Sequence, residues 1–264
     1  MALDFAKEKP RLIVCWDLNE VNNEETVDLI WEKHRVKAVS YKCNLADRGE
    51  LYEVALRTQK DVKKVLSDEN AKITMLINNA GIVTGKALLD STDDQNELTM
   101  TVNSNAHFRT IKTFLPDMLK MNHGHIVCIA SVCGLSGAAG CADYCASKHA
   151  VVGLMESLYL EIKKQNKNNV KCTIICPWVI STGMFRGFKN KSEVLFPTCK
   201  PEDVSKRIIR AVKYDEYLVV IPGSMYLIYY LKPFIVSLMG FDVFYEMGNV
   251  LGTNYSMDTF KGRK

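Results

Sequence analysis

The first glycine is Gly49, so nothing in the opening 48 residues can build a glycine-rich turn between a strand and a helix. The nine cysteines include no CxxC pair and no cysteine–histidine spacing of the zinc kind, which argues against a disulfide framework and predicts a reduced compartment. Cys141 and Cys145 stand one helical turn apart and His123 and His125 two residues apart, but neither pair brings enough donors for a metal, and none is predicted. Charge of one sign is also lacking: 34 basic residues face 30 acidic ones, a net +4. The densest basic stretch, Lys163, Lys164, Lys167 and Lys171, reads as a solvated helix end, so nucleic acid is not an expected partner. Asp4, Lys7, Glu8 and Lys9 interrupt Met1 to Pro10, which excludes a secretory signal peptide in that stretch. Tyr217 to Leu231 is free of charge, and Lys232 and Pro233 divide it from Phe234 to Gly240. Each piece falls short of the roughly 18 to 20 apolar residues that span a bilayer.

What is present is a chain of 264 residues with 47% hydrophobic content, enough to bury one full core. Short β-branched runs alternate with amphipathic stretches. The runs are Leu12 to Trp16, Val36 to Tyr41, Ile73 to Ile77, His125 to Ala130, Val170 to Cys176 and Tyr217 to Ile221. Helices are predicted at Glu24 to Lys33, Gly49 to Ser67, Asp93 to Met121, Ala142 to Lys164 and Pro201 to Val212. The alternation predicts an α/β, Rossmann-like doubly wound parallel sheet over residues 1–221, with an apolar C-terminal extension at 222–264. A dinucleotide fold opens with a strand, a glycine-rich turn and a helix, with an acid about 20 positions on. Asp17 ends the first run and suits that acid, but counting back passes Met1. Ala2 to Lys7 then reads as the rest of the first helix, and the expectation is an N-terminally truncated fold whose first strand and glycine turn lie outside the chain.

Tyr144 and Lys148 stand at i and i+4, a phenol and an ammonium on one helix face. An alcohol must lose its hydroxyl proton as hydride leaves, and a tyrosine is a poor base at neutral pH unless a cation favours its phenolate. Lys148 and an oxidised nicotinamide would supply that bias. Ser131, at a strand end, offers a hydroxyl to the reacting oxygen. Asn103 is a polar interruption of the long helical stretch and could order a water leading to the lysine.

These residues resemble the short-chain dehydrogenases/reductases along almost the whole chain. Asn78-Asn79-Ala80-Gly81 matches the family's NNAG, Tyr144 to Lys148 its YxxxK, and Ser131 precedes Tyr144 by thirteen positions as its serine does. The resemblance implies that Tyr144 is the acid/base, that Lys148 lowers its pKa and binds the nicotinamide ribose, that Ser131 orients the substrate, and that Asn103 supports a proton relay. Cys128 to Ser131, Asp143 to Lys148 and Thr182 to Phe185 look most like the retinol dehydrogenase branch with its hydroxysteroid relatives. That likeness implies a lipophilic alcohol, retinoid or steroid-like, and the endoplasmic reticulum or lipid-droplet surface. It also suggests a homodimer through Asp93 to Met121 and Ala142 to Lys164. The branch's apolar N-terminal anchor is not in this sequence. NAD is the expected cofactor, because Asp17 would accept from an unmodified ribose and repel a 2′-phosphate, and its neighbours Trp16 and Leu18 supply no cation. Asn44 and Leu45 are expected at the adenine, Asn78, Ala80 and Pro177 at the cofactor, and Ile180 with Thr182 near the nicotinamide; Trp178 stands where the family commonly has glycine.

Blander readings stand beside these. Asp17 could order the turn of Asn19 and Asn22, Ser131 could only end a strand, and Asn78 and Asn79 could be structural links. Tyr226 to Gly240 reads as core, as a substrate funnel or as a membrane-interface segment with Lys232 snorkelling, and its prolines argue against one continuous helix. The whole reads as an NAD-dependent oxidoreductase acting on a lipophilic alcohol, retinol to retinal favoured. The alternatives are a catalytically impaired binding or membrane-surface protein lacking the pyrophosphate loop, and a nucleotide-sensing regulator.

Overall fold

The protein is described as a computed structural model covering residues 1–261 except 192, 252 and 255, so the last three residues of the expected C-terminal extension lie outside the described residues. Six parallel strands form two sheets: β1 (Ile13–Asp17) pairs with β2 (Ala38–Lys42), and β3 (Met75–Asn78), β4 (Gly124–Ile129), β5 (Val170–Pro177) and β6 (Leu218–Ile221) follow in sequence order. Among the described residues no strand joins β1 to β3.

Period-two alternation explains why the central strands read as continuous apolar runs. Ile126, Cys128, Ile174, Cys176 and Val220 point to one face, and Val127, Ile175, Val219 and Ile221 to the other. The first face is covered by α5 (Ala106–Met121) and α6 (Ala142–Lys164), through Ile111, Phe114, Met118, Val151, Met155, Leu158 and Ile162. The second is covered by α7 (Pro201–Lys213), through Val204, Ile208 and Ala211. Ile126, Ile174 and Ile175 are fully buried. Each such side chain contributes about 1.5–3 kcal/mol relative to exposure.

The seam between the sheets is bridged rather than hydrogen-bonded. α1 (Ala2–Ala6), the helix expected at Ala2 to Lys7, puts Met1 and Phe5 against the α7 face, while Leu3 and Ala6 join Ile30 and Val36 beside α2 (Glu20–His34). On the opposite face Trp16 of β1 reaches the main core, packs its ring at a tilt on Phe114 with centroids 5.8 Å apart, and donates its indole N–H to Thr58 of α3 (Arg48–Leu66).

One expected helix and one expected break need correction. Asp93 to Met121 is not one α-helix: α4 (Asp93–Met100), started by a Thr92–Gln95 capping box, passes through a π turn at Thr101–Asn105 before α5. Tyr226 to Gly240, where proline argued for a break, is one helix, α8 (Tyr226–Met239), with Pro233 inside it; α9 (Phe241–Leu251) follows. Its terminal turns pack on the 3₁₀ turn Gly223–Met225 and on α9, and Met225 is fully buried, so tertiary contacts override the lost backbone donor.

Candidate active site

The carboxyl ends of β3, β4 and β5 converge on the start of α6, the side of a doubly wound sheet where ligands bind. β4 delivers Ile129 and then Ser131, which caps the 3₁₀ turn Val132–Gly134 by accepting from the Cys133 amide at 3.1 Å. Ser131 Oγ donates to the Pro177 carbonyl at the end of β5, at 3.3 Å, and its hydroxyl favours ionisation of the Tyr144 phenol. This 3₁₀ turn lies directly on α6 because residue 134 is glycine; a Cβ there would stand 2.6 Å from the Lys148 carbonyl oxygen.

Tyr144 and Lys148 face the same interior, with Lys148 Nζ 5.6 Å from the phenol ring centroid. The amine is 3% exposed and donates to the Ile129 carbonyl at 2.9 Å. Burial draws its pKa down to about 8. Burial likewise pushes the Tyr144 phenol far above its ordinary range, and the Ser131 hydroxyl only partly opposes this. In the protein alone, desolvation dominates the environment of the phenol.

Asn103 sits fully buried on the π turn, which turns its side chain toward the segment after β3. Its Oδ1 accepts from the Ile82 amide at 2.8 Å, and its Nδ2 donates to the Ile82 carbonyl at 2.9 Å and to Ser147 Oγ at 3.0 Å. Ser147 in turn donates to the Tyr144 carbonyl at 2.7 Å. Both amide protons are engaged, so the side chain ties the Ile82 loop to α6. A second clamp holds the same helix from α4, where Thr99 donates to buried Asp143 at 2.8 Å.

The remaining expected residues divide by sheet. Asn78, 8% exposed, is a structural link, accepting from Thr110 at 2.8 Å and donating to Cys128. Ala80 is half-buried beside it, and Gly81 leaves a hollow in which a Cβ would lie 3.4 Å from both Asn103 Oδ1 and Lys148 Nζ. Pro177 and half-buried Ile180, which bridges to Cys199, follow the end of β5. Asp17, Asn44 and Leu45 lie at the carboxyl ends of the other sheet, β1 and β2. Asp17 is exposed and accepts from the Asn19 amide at 2.9 Å, so its turn-ordering role is real, while Asn44 accepts from the Ala46 amide.

Two neighbours escaped the sequence reading. Parallel register sets exposed Lys42 beside Asp17, so a cation does flank this carboxylate, across the sheet rather than along the chain. His107 follows the π turn, is 2% exposed, and has both ring nitrogens without a partner; burial, aided by the Lys148 charge, holds its pKa near 3 and its ring neutral. A polar residue one turn beyond Asn103 was the available signal.

Beyond Ser131 lies an apolar cavity of about 140 Å³. Val132, Trp178, Phe185 and Phe196 form its walls, and α8 and α9 roof it with Leu227, Leu231 and Met247. Lys232 does not snorkel outward: it points into this lining and donates to the Leu135 carbonyl at 3.0 Å.

A buried phenol–amine pair at the carboxyl edge of a doubly wound sheet, with a serine on the phenol and a hollow at Gly81, defines a dinucleotide-dependent alcohol or carbonyl oxidoreductase. The model of the short chain dehydrogenase family matches residues 1–193, and the chain belongs to that family. Within it the chain falls in the retinol dehydrogenase branch. It is similar to human epidermal retinol dehydrogenase 2, 37% identical over 264 residues covering 100% of this chain and 81% of that protein. Among solved structures, a Sphingobium yanoikuyae short-chain dehydrogenase in complex with NADPH shares the fold at TM-score 0.74 and 21% identity, covering 90% of this chain and 89% of that one. A Burkholderia phymatum short-chain dehydrogenase/reductase in complex with NAD does so at TM-score 0.71 and 21% identity, covering 85% of each chain.

The folded pKa of Lys148 lies below its ordinary 10.5, so between about pH 8 and 10.5 the unfolded chain holds a proton that the folded chain has lost. Stability contributed at this site therefore rises with pH across that window, by about 1.4 kcal/mol per pKa unit. Denaturant unfolding of wild type and Lys148→Met at both ends of the window checks this. The wild type gains on the variant as pH rises; parallel pH dependence would refute a buried amine.

Proposed function

We propose that this chain oxidises a lipophilic primary alcohol, retinol to retinal being the favoured case, with NAD as hydride acceptor. The observation that carries the reading is the apolar cavity that begins at Ser131, beside the Tyr144–Lys148 pair. When bound, the nicotinamide supplies the hydride chemistry and, in its oxidised form, a positive charge. Ser131 Oγ orients the alcohol oxygen and Tyr144 Oη takes its proton. Lys148 Nζ, fixed by the Ile129 carbonyl and with a pKa near 8, holds or releases a proton close to neutral pH and reaches the hollow at Gly81. Asn103 and Ser147 act by positioning, since their hydrogen bonds end on the Ile82 backbone and the Tyr144 carbonyl. Tyr144→Phe is expected to lower kcat/KM by about 10²–10⁴-fold while leaving dinucleotide affinity nearly unchanged; turnover near wild type refutes the assignment.

NAD is favoured because the Asp17 carboxylate stands at the end of β1, where a ribose 2′-phosphate would meet its charge. Lys42 moderates the argument without removing it. Calorimetric titration with NAD and NADP reads the preference directly: NAD binds more tightly, and Asp17→Ala narrows the gap. Equal binding, or tighter NADP, overturns the choice of NAD. Weak or absent binding of both would favour the impaired binding protein instead.

A membrane-surface site of action is supported by the outer sides of α8 and α9. Phe234, Leu238, Met239 and Phe241 are exposed there, although among the described residues no helix is long and apolar enough to cross a membrane. The cavity is smaller than the roughly 300–1,000 Å³ of ordinary small-molecule sites, so a long polyene requires this same roof to give way. Flotation with phosphatidylcholine vesicles tests the surface. The wild-type chain floats with them, and a Phe234→Asp/Leu238→Asp variant stays behind; indifference of both chains to vesicles overturns the membrane reading.

A further inference from the structure

The substrate cavity carries hydrogen-bond donors that a simple lipid alcohol leaves idle. Lys232 lies in its lining, half-buried, and one of the three donors of its ammonium reaches the Leu135 carbonyl at 3.0 Å. The ion pairs formed among the described residues do not include it. Burial accordingly draws its pKa below the ordinary lysine value. Trp178, in the same lining, has its indole N–H buried without an acceptor while the ring packs on Phe188 and Phe196. An otherwise apolar chamber therefore holds a cation with no paired anion and a donor with no acceptor. Retinol has one oxygen, which Ser131 and Tyr144 would take, so it serves neither.

We propose that the cavity also takes an ω-hydroxy carboxylate of medium chain length, its hydroxyl at Ser131 and Tyr144 and its carboxylate on Lys232 Nζ. This rests on the proposed oxidoreductase and adds a substrate class that a neutral polyene alcohol does not represent. Leu135 follows Ser131 across the 3₁₀ turn Val132–Gly134. At about 2 Å of rise per residue the two stand roughly 8 Å apart, and Lys232 Nζ lies one hydrogen bond further on. An extended chain advances about 1.2 Å per bond, so roughly eight bonds, the span of 8-hydroxyoctanoate, join the two groups. The cavity, about 140 Å³ and cramped for a long polyene, is closer to a chain of this size. The ammonium keeps its bond to Leu135 and turns its remaining donors to the carboxylate, a charge-assisted contact that the apolar lining strengthens. At the other end the carbinol carbon gives hydride to the oxidised nicotinamide and the hydroxyl proton passes to Tyr144 Oη. The O–H electron pair becomes the second carbon–oxygen bond, and the product is an ω-oxo carboxylate with its acid end unchanged.

Calorimetric titration of the intact chain, with and without NAD, compares 8-hydroxyoctanoate with 1,8-octanediol, a neutral chain of the same length. The acid is expected to bind about tenfold more tightly, the scale of one hydrogen bond between charged groups. Lys232→Gln should bring the two affinities together, and Lys232→Arg should keep them apart. If Lys232 only anchored the roof, its loss would weaken both ligands alike, so the ratio of the two affinities is the quantity read. Should Lys232→Gln not fold, the wild-type ratio and its persistence in Lys232→Arg decide. Equal affinity for both ligands in the wild type, binding of neither, or a preference that survives Lys232→Gln overturns the proposal. Turnover with NAD is followed on the same two ligands. A binding preference without oxidation of either leaves the carboxylate site standing and counts against the proposed oxidoreductase, whereas oxidation of the diol as readily as the acid counts against the carboxylate site alone.

Discussion

An amine buried to 3% exposure with a backbone carbonyl as its fixed partner constrains everything around it. Removing an ammonium from water costs several kcal/mol, and one carbonyl dipole does not offset that. The surroundings of Lys148 read as responses to this cost. The carbonyl end of β4 supplies Ile129, residue 81 has no side chain to crowd the amine, and glycine at 134 lets the backbone press against α6. The helix is then held in place twice over, by Asn103 through Ser147 and by Thr99 through Asp143. Without those clamps, rotation of α6 by a fraction of a turn would give the amine back to solvent and take the phenol with it. The apolar core beneath the same helix, from Val151 to Ile162, supplies the stability that the amine consumes.

Much of this was legible in residues and spacing because the signals are local. Continuous apolar runs announce strands covered on both faces, and i, i+4 spacing alone brings Tyr144 and Lys148 together. What escaped the sequence depends on position in space. The pairing of Lys42 with Asp17 exists only once β1 and β2 have a register. The π turn at Asn103 adds one residue to a helical period, and a pattern reading averages that away. Pro233 read as a stop because proline lacks a donor, whereas α8 persists through packing against α9 and the preceding turn.

The molecule also separates its tasks. The groups proposed for the chemistry, and the cavity, belong to β3 through β6, while Asp17, Asn44 and Leu45, the residues expected at the adenosine end of a dinucleotide, belong to β1 and β2. Between them no ladder runs among the described residues. Trp16 on one face and α1 on the other tie the halves by side-chain packing, a softer linkage than a row of backbone hydrogen bonds. An extended ligand lying across both carboxyl edges would fasten the two together, so occupancy and rigidity are coupled in this architecture.

The roof of the cavity has a different kind of independence. It is built from the last two helices, contributes none of the residues around the reacting oxygen, and Lys232 anchors it to the Leu135 carbonyl. Substitutions there can reshape the chamber while leaving the phenol, the amine and the serine in their original places. Selectivity can thus diversify by drift in one terminal segment, much as a lock is rekeyed without replacing its bolt.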